Sequence, residues 1–431
     1  MPEILDAATD TAARAHREQA ERLAARVDDV PANTPLIPVD HVGIIGAGTM
    51  GRGIALAFLN GGLRVTIVEM VPAALENAQK LMRKSYDGQL RRGQITQEEV
   101  EQRLARLTAA GTLDAVADCD LVIEAIFEDM ALKLELFGKL DTIVKPGALL
   151  ASNTSYLDID AMAAATARPE LFLGMHFFSP ANIMKLLEIV RSAKTGNSAI
   201  ATVMALTGRI GKVPVLSRVC HGFIGNRMNR RRREAAERLM LEGAEPARID
   251  AVVERFGFKM GPFAASDMAG LDVMWSAAKS TGSTPKDVLC DAGRYGQKNG
   301  KGYYDYDENR NRTPSAEAVE LIRGLARKLN VAQREFTDEE ILGAVLYPAV
   351  NEGAKILDEG IAQRASDIDV TWLNGFGFPA TEGGIMYWAD RQGLDKVLAG
   401  MEQLEARYGE DYAVAPLLRR LAAEGRTFAE A

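Results

Sequence analysis

His176 and Glu188 are spaced so that one proton-transfer site could hold both. Residues 172–178 and 185–190 are strand-like apolar runs separated by the short segment SPANIM. If these runs form a hairpin, its midpoint falls near Asn182 and His176 lies opposite Glu188. Side chains directly opposite one another are about 5 Å apart at Cβ. Imidazole titrates near physiological pH, so a histidine held by a carboxylate predicts general-base chemistry.

Each member of this pair has a simpler interpretation when taken alone. An isolated strand histidine is usually packed or solvated, and Glu188 could be a surface carboxylate of its strand. A glycine-rich segment further upstream favours the catalytic interpretation.

That segment, residues 42–69, has the order of parts that a dinucleotide site needs. It reads VGIIGAGTMGRGIALAFLNGGLRVTIVE, with three glycines in the pattern Gly46-x-Gly48-x-x-Gly51 between two β-rich runs. The first glycine permits a tight turn, the second lets backbone approach a pyrophosphate, and the third lets helix and strand pack closely. Free N–H groups at the start of the helix would face the phosphates. The alternative is a glycine-rich turn that binds nothing.

Glu69 ends the second β-rich run of this segment, 23 residues after Gly46. A carboxylate at this place can accept hydrogen bonds from the adenosine ribose hydroxyls and would repel a 2′-phosphate. The sequence therefore favours NAD over NADP.

The elements that must position these residues alternate between strand and helix. Residues 120–126 form a continuous apolar run typical of a buried parallel strand, 128–144 have helical periodicity, and 148–155 return to a strand that stops at a polar turn. This rhythm predicts an α/β fold with a doubly wound sheet. Ligands of such sheets bind at the carboxyl ends of the strands, which makes Glu124, Lys133 and residues 152–155 candidates by position alone.

Length and composition limit the possible classes of protein. A chain of 431 residues suggests two or three domains, and a net charge of −8 spread along it argues against nucleic-acid binding. No apolar run is long enough to span a bilayer. Three widely separated cysteines without a CxxC motif make a disulfide framework or a metal site unexpected. The first residues contain Glu3, Asp6 and Asp10 and resemble neither a secretory signal nor an acid-poor transit peptide, so we expect a cytoplasmic protein.

Two further regions flank the predicted sheet. Residues 5–27 are Ala-rich and favour a helix, followed by a proline-containing linker. From Cys220 the composition becomes helical, and this part contains a repeat at about 120-residue spacing. The paired motifs are Glu242-Gly243 with Glu359-Gly360, Ile249-Asp250 with Ile368-Asp369, and Gly270-Leu-Asp272 with Gly393-Leu-Asp395. The expected domains are 1–39, 40–217, 218–310 and 311–431, the last two being repeats.

An ordered set of motifs resembles the 3-hydroxyacyl-CoA dehydrogenase family over residues 40 to about 430. The motifs are GAGTMG, DLVIEAIFED, SNTSYLDI, GMHFFSPANIMKLLEIV, GFIGNRM and GFKMGPFAASDMAGLD. With two C-terminal repeats, the chain resembles the dehydrogenase part of bifunctional β-oxidation enzymes, both the bacterial α subunit and the peroxisomal enzyme, without their hydratase domain. The resemblance implies a Rossmann-type domain followed by two helical domains. It also implies NAD-dependent oxidation of (S)-3-hydroxyacyl-CoA to 3-oxoacyl-CoA.

The resemblance assigns roles to individual residues. His176, Glu188, Ser155 of SNTS and Asn226 of GNRM match the family's catalytic set, and Ser155, Ser179 and Asn226 are expected at the substrate. Beside Gly46, Gly48, Gly51 and Glu69, the resemblance places Met50, Glu124, Lys133 and Ser155 at the cofactor. Alternatives remain for three of these residues: Ser155 could cap the helix expected near Leu157, Asn226 could cap the following helix, and Lys133 could be an exposed helix lysine.

The resemblance also implies partners. We expect an acyl-CoA substrate, with an enoyl-CoA hydratase and a thiolase as separate pathway neighbours. A duplicated helical domain could imitate a dimer contact within one chain, so we expect a monomer with internal pseudo-symmetry. Tyr156 and Asn374 depart from the residues that are common in the family at these positions. The preferred length of the substrate's acyl chain is therefore open. The rival functions are dehydrogenation of a small free β-hydroxy acid, for which a lysine base is usual, and NAD binding without catalysis.

Overall fold

A computed structural model describes residues 7–273, 275–278 and 280–431. These residues form two compact units. Residues 14–227 and 356–376 make the sheet unit, and the other described residues make the helical unit. The predicted domain boundaries stay predictions. The predicted N-terminal helix is present as α1 (Ala7–Ala24), while its first two residues, 5 and 6, lie outside the described part of the chain.

The sheet unit is built on eight strands in the order β3-β2-β1-β4-β5-β6-β7-β8. All neighbouring pairs are parallel except β6 and β7, which are antiparallel. The strands are β1 (His41–Ile45), β2 (Arg64–Val68), β3 (Leu107–Ala110), β4 (Leu121–Glu124), β5 (Leu149–Ser152), β6 (Phe172–Phe177), β7 (Leu186–Arg191) and β8 (Val213–Arg218).

Both faces of this sheet are buried against helices. Successive residues of one strand enter different apolar cores: Ile44 packs in one and Ile45 in the other. The covering helices are α2 (Thr49–Asn60), α3 (Pro72–Arg91), α4 (Gln97–Leu104), α5 (Met130–Ile143), α6 (Ile159–Ala164) and α7 (Asn197–Arg209). The predicted doubly wound, Rossmann-type sheet is confirmed.

The remaining elements are mostly helical. They are α8 (Gly225–Leu241), α9 (Pro246–Phe256), α10 (Pro262–Ala269), α11 (Pro285–Asp291), β9 (Tyr304–Tyr306), β10 (Arg312–Pro314), α12 (Ala316–Lys328), α13 (Asp338–Asp358), α14 (Ala365–Gly375), α15 (Ile385–Gln392), α16 (Leu394–Tyr408) and α17 (Pro416–Glu424). Strands β9 and β10 pair antiparallel in a small separate sheet. Within the described residues, no helix has the length and apolar character that crossing a bilayer requires.

The sequence repeat has a structural counterpart in two aspartates of the helical unit. Asp267 near the end of α10 accepts the backbone N–H groups of Tyr303 and Tyr304, at 2.9 and 3.0 Å. Asp390 near the end of α15 accepts those of Phe428 and Ala429, at 2.7 and 3.3 Å. The two carboxylates have the same offset as the Gly-Leu-Asp motifs that follow them, so both repeats use one device to fix a later segment.

Helix α14 comes from the second predicted repeat but belongs to the sheet unit. It packs against β7 and β8, and the N–H of Arg218 donates to the carbonyl of Ile361 just before α14, at 2.9 Å. At the end of α14, a Cβ added to Gly375 would lie 2.5 Å from Cδ2 of Leu186 on β7. A side chain at this position would have to displace the end of Leu186, so glycine favours this close approach of α14 and β7.

Candidate active site

His176 and Glu188 form a buried hydrogen-bonded pair. They are directly opposed in the β6–β7 ladder, as the hairpin argument predicted. His176 Nδ1 and Glu188 Oε2 are 2.7 Å apart, and the side chains are 4% and 0% exposed. The carboxylate therefore fixes the ring through Nδ1, so that Nε2 is the ring nitrogen on the side away from Glu188.

The other oxygen of Glu188 is also satisfied. The N–H of Gly225, at the start of α8, donates to Oε1 at 2.8 Å. Asn226 follows in the first turn of α8 and is half-buried. Because α8 begins at Gly225, Asn226 lies inside the helix, and the alternative that Asn226 caps this helix is wrong. One hydrogen bond thus joins the carboxylate of the pair to the segment that carries Asn226.

Aromatic rings surround the imidazole. The ring centroids of Phe178 and Phe223 lie 4.5 and 5.6 Å from that of His176. Phe223 is fully buried and has φ +49°, a left-handed conformation that is unfavourable for a residue other than glycine. The tight turn before α8 is therefore held with its ring against His176.

The glycine-rich segment has the geometry of a dinucleotide cradle. Gly46 has φ +100°, and a Cβ on Gly51 would overlap the Gly46 carbonyl oxygen. Space around a Cβ on Gly48, the residue before α2, is open to at least 4 Å. Close packing at Gly46 and Gly51 together with open space at Gly48 fits a bound pyrophosphate at the helix N-terminus.

Glu69 borders the same cradle. Its carboxylate accepts the N–H groups of Ala47 and Val71 at 3.3 and 3.1 Å. Met50 is half-buried in the first turn of α2. The structure thus brings all the glycines, Met50 and Glu69 to one edge of the sheet.

Glu124 and Lys133 form a buried ion pair at this edge of the sheet. Lys133 Nζ lies 2.7 and 2.9 Å from the two oxygens of Glu124, and the side chains are 1% and 0% exposed. Ser152 Oγ donates to the same carboxylate at 2.6 Å. The alternative of an exposed Lys133 is therefore wrong, and the contacts of Glu124 with Lys133 and Ser152 link β4 to α5 and to β5.

Glu128 is a residue of this network that the sequence analysis missed. Its carboxylate accepts the Thr154 hydroxyl at 2.6 Å and the Ser155 N–H at 2.8 Å, and it lies 3.1 Å from Lys133 Nζ. Burial acts to raise the pKa of Glu128, but the Lys133 charge and these hydrogen bonds outweigh it and lower the pKa. A second carboxylate four residues after Glu124 in DLVIEAIFED was the available signal.

This network positions the turn that carries Ser155. Ser155 is half-buried, and its N–H is fixed by Glu128. The N-terminus of α6 is capped by Asp158, which accepts two backbone N–H groups, so the proposed capping role of Ser155 is wrong. Tyr156 beside it is half-buried and packs on His221, with ring centroids 5.1 Å apart.

The turn between β6 and β7 has its own support. Lys212 Nζ donates to the carbonyls of Ala181 and Met184 at 2.5 and 2.6 Å, and burial lowers the pKa of Lys212 to about 8. Ser179 lies exposed at the start of this turn. Asn374 is half-buried on α14 and donates to Glu21 of α1 at 3.3 Å.

The sequence matches one family along most of its length. The family described as 3-hydroxyacyl-CoA dehydrogenase, NAD binding domain, matches residues 41–220. Its C-terminal domain matches two segments, 222–306 and 341–430.

Among curated relatives, the peroxisomal bifunctional enzyme of Danio rerio is 41% identical over 411 residues, covering 90% of this chain and 56% of the relative. That of Homo sapiens is 39% identical over 415 residues, covering 90% and 57%. The chain therefore spans little more than half the length of these relatives.

Solved structures give the same result. The dehydrogenase part of multifunctional enzyme 1 from C. elegans has a TM-score of 0.70 at 31% identity, covering 94% of this chain and 96% of that one. The 3-hydroxybutyryl-CoA dehydrogenase of Escherichia coli K12 has a TM-score of 0.77 at 26% identity, covering 90% and 99%.

Proposed function

The chain belongs to the NAD-dependent 3-hydroxyacyl-CoA dehydrogenase family, and from this premise we propose that it oxidises (S)-3-hydroxyacyl-CoA to 3-oxoacyl-CoA in fatty acid β-oxidation or a related acyl-CoA pathway. The observation that carries the proposal is the 2.7 Å contact between His176 and Glu188, in the same compact unit as the glycine cradle.

His176 is the proposed base. Glu188 accepts a hydrogen bond from Nδ1–H of the neutral ring. Nε2 therefore carries the lone pair and can take the proton of the substrate hydroxyl. The imidazolium that results is stabilised by the carboxylate 2.7 Å away. In the reverse direction the same nitrogen returns the proton to the carbonyl oxygen.

Ser155 and Asn226 are proposed to orient the substrate. Each can donate a hydrogen bond to the C3 oxygen or to the thioester carbonyl, which limits motion of the reacting carbon. Ser179 is proposed as a further substrate contact. The N–H of Ser155 donates to Glu128, which holds the turn that carries Ser155. The N–H of Gly225 donates to Glu188, which holds the start of the helix that carries Asn226.

NAD, when bound, supplies the hydride acceptor. Gly46, Gly48, Met50 and Gly51 are proposed to hold its pyrophosphate and Glu69 its adenosine ribose. Glu124, Lys133 and Ser155 are proposed at its nicotinamide end. Their joint position at the carboxyl edge of the sheet supports this assignment.

The test is NADH oxidation with acetoacetyl-CoA by wild type, His176→Ala and Glu188→Gln. Loss of a general base predicts a fall of about 10² or more in His176→Ala, with NADH affinity unchanged. A wild type that binds NADH but turns over neither short nor long 3-oxoacyl-CoA would instead favour the non-catalytic alternative. Turnover of a free β-hydroxy acid as fast as its thioester would favour the small-acid alternative.

The partners are proposed as well. An enoyl-CoA hydratase would supply the substrate and a thiolase would consume the product, because these reactions flank the oxidation chemically. We propose a monomer, which light scattering checks directly. A cytoplasmic location stays a prediction from the sequence, whereas the relatives are named peroxisomal; fractionation of source cells would separate the two.

A further inference from the structure

The carboxylate of Glu188 depends on a backbone group that a distant segment holds in place. Oε1, the carboxylate oxygen that does not face His176, accepts a hydrogen bond from the N–H of Gly225 at 2.8 Å, and both groups are buried. Together with the contact to His176, this hydrogen bond fixes the direction of the Glu188 carboxylate. The position of the first turn of α8 is therefore part of the geometry of the pair.

Phe376 packs on the other side of Gly225. A Cβ added to Gly225 would overlap Cε2 of the Phe376 ring and lie 2.8 Å from Cζ and 3.1 Å from Cγ2 of Thr371. Gly225 does not have a positive φ, so it is the ring, and not the backbone conformation, that requires glycine here.

Phe376 also reaches the imidazole through a second path. Its ring meets Phe178 edge-on, with centroids 5.5 Å apart at 81°, and Phe178 lies 4.5 Å from the His176 ring. Such edge-to-face pairs have a preferred geometry and resist sliding. Phe376 thus supports both members of the pair, one through Gly225 and one through Phe178.

Phe376 is itself fixed by its surroundings. Its ring lies 5.5 Å from that of Trp372, which is fully buried on α14. The preceding residue, Gly375, is in close contact with Leu186 at the start of β7. The end of α14 is thereby held against the strand that carries Glu188.

We propose that Phe376 is a positioning residue for the His176–Glu188 pair, acting by holding Gly225 and Phe178 in place. The inference rests on the proposed dehydrogenase function. It assigns to the second C-terminal repeat a role in the chemistry of the sheet unit.

The test is a double-mutant cycle of Gly225→Ala and Phe376→Ala, with kcat and KM measured on acetoacetyl-CoA. The added methyl in Gly225→Ala must displace the ring or the start of α8, and a displacement of about 1 Å at a catalytic group can lower kcat by up to about 10². Removing the ring in Phe376→Ala makes room for that methyl, but Phe376→Ala alone should also have a lower kcat than wild type, because nothing then holds Gly225 and Phe178 in place. The double variant should therefore turn over faster than Gly225→Ala alone, with KM changed less than kcat.

A matched control exists in the helical unit. A Cβ on Gly400 would lie 2.5 Å from Cδ2 of Tyr347, which is the same relation of glycine to aromatic ring. The cycle of Gly400→Ala and Tyr347→Ala should show the same rescue in melting temperature and leave kcat unchanged. Equal effects of both cycles on kcat would indicate general destabilisation and overturn the proposal.

A readout without turnover separates this proposal from the proposed function. The chain has four histidines, so nitrogen-labelled imidazoles can be resolved by NMR. The Nδ1–H signal of His176 should broaden or move in Gly225→Ala and return in the double variant. Purely additive effects on this signal and on kcat would overturn the positioning role. If the wild type is inactive but this signal still shows the rescue, the proposed reaction is wrong and the positioning role of Phe376 remains.

Discussion

Replacing Glu188 with glutamine tests the proposed base at a single atom. The Gly225 N–H can only donate, so the oxygen of the new amide must face it at the place of Oε1. The NH2 group must then face His176 Nδ1, 2.7 Å away in the wild type. Two donors cannot share that contact, so the ring must adopt the tautomer with its proton on Nε2. That nitrogen then has no lone pair to accept the substrate proton.

The structure therefore predicts a larger loss for Glu188→Gln than for Glu188→Ala. Imposing the wrong tautomer on a catalytic histidine lowers kcat by about 10³ to 10⁴, or about 4 to 5.5 kcal/mol of barrier. Alanine removes the carboxylate but places no donor against Nδ1. The ring can then use either tautomer, and we expect a loss about tenfold smaller.

The assay is NADH formation from (S)-3-hydroxybutyryl-CoA at saturating NAD. Glu135→Gln is the control, because Glu135 is an exposed carboxylate on α5 that pairs with Lys139 at the surface. NADH affinity and circular dichroism should match wild type in every variant. A Glu188→Gln enzyme with more than about a tenth of the wild-type rate, or one no slower than Glu188→Ala, would refute the tautomer argument.

Three further predictions follow from the cradle and from the helical unit. Gly51→Ala should lower stability and NADH affinity together, because its Cβ would overlap the Gly46 carbonyl; Gly48→Val should keep the melting temperature and weaken only NADH binding, measured by fluorescence titration. Glu69→Gln should reduce the preference for NAD over NADP by about tenfold or more, since it removes like-charge repulsion of the 2′-phosphate; an unchanged ratio of kcat/KM values would contradict this. Burial raises the pKa of Asp267 to about 6 despite its hydrogen bonds, so its contribution to stability is present below about pH 4 and lost as the pH rises through about 6. Urea unfolding should therefore show a larger advantage of wild type over Asp267→Asn at pH 4.5 than at pH 7.5, and a constant difference would count against the shift.

Features set by neighbours in the chain were predictable. The order of strand, glycines, helix and acidic end is local, and both the positive φ of Gly46 and the contact of Gly51 with the Gly46 carbonyl arise within a few residues. The pairing of His176 with Glu188 followed from a hairpin with a short turn, because turn length and alternation fix the register.

Two alternatives that the sequence left open were wrong, and one residue was overlooked, because each depended on packing. Lys133 looks like an ordinary helix lysine, yet α5 lies against β4 and buries it beside Glu124. Ser155 could have been the cap of the following helix, but α6 begins later and Asp158 is the residue that caps it. Glu128 was overlooked because its partners, Thr154 and Ser155, are 26 and 27 residues away on the next strand's turn.

The type of sheet, the glycine-rich cradle, the pairing of His176 with Glu188 and the sequence repeat could thus be predicted from the sequence. Each of these is written in spacing over a few residues or in direct self-similarity. The contacts that hold the pair in place are visible only in the folded chain: Gly225 donates to Glu188 from 37 residues away, and Phe376 packs on Gly225 from the second predicted repeat. Such contacts depend on how helices pack on the sheet, and no local periodicity encodes the distance between groups that meet only when the chain has folded.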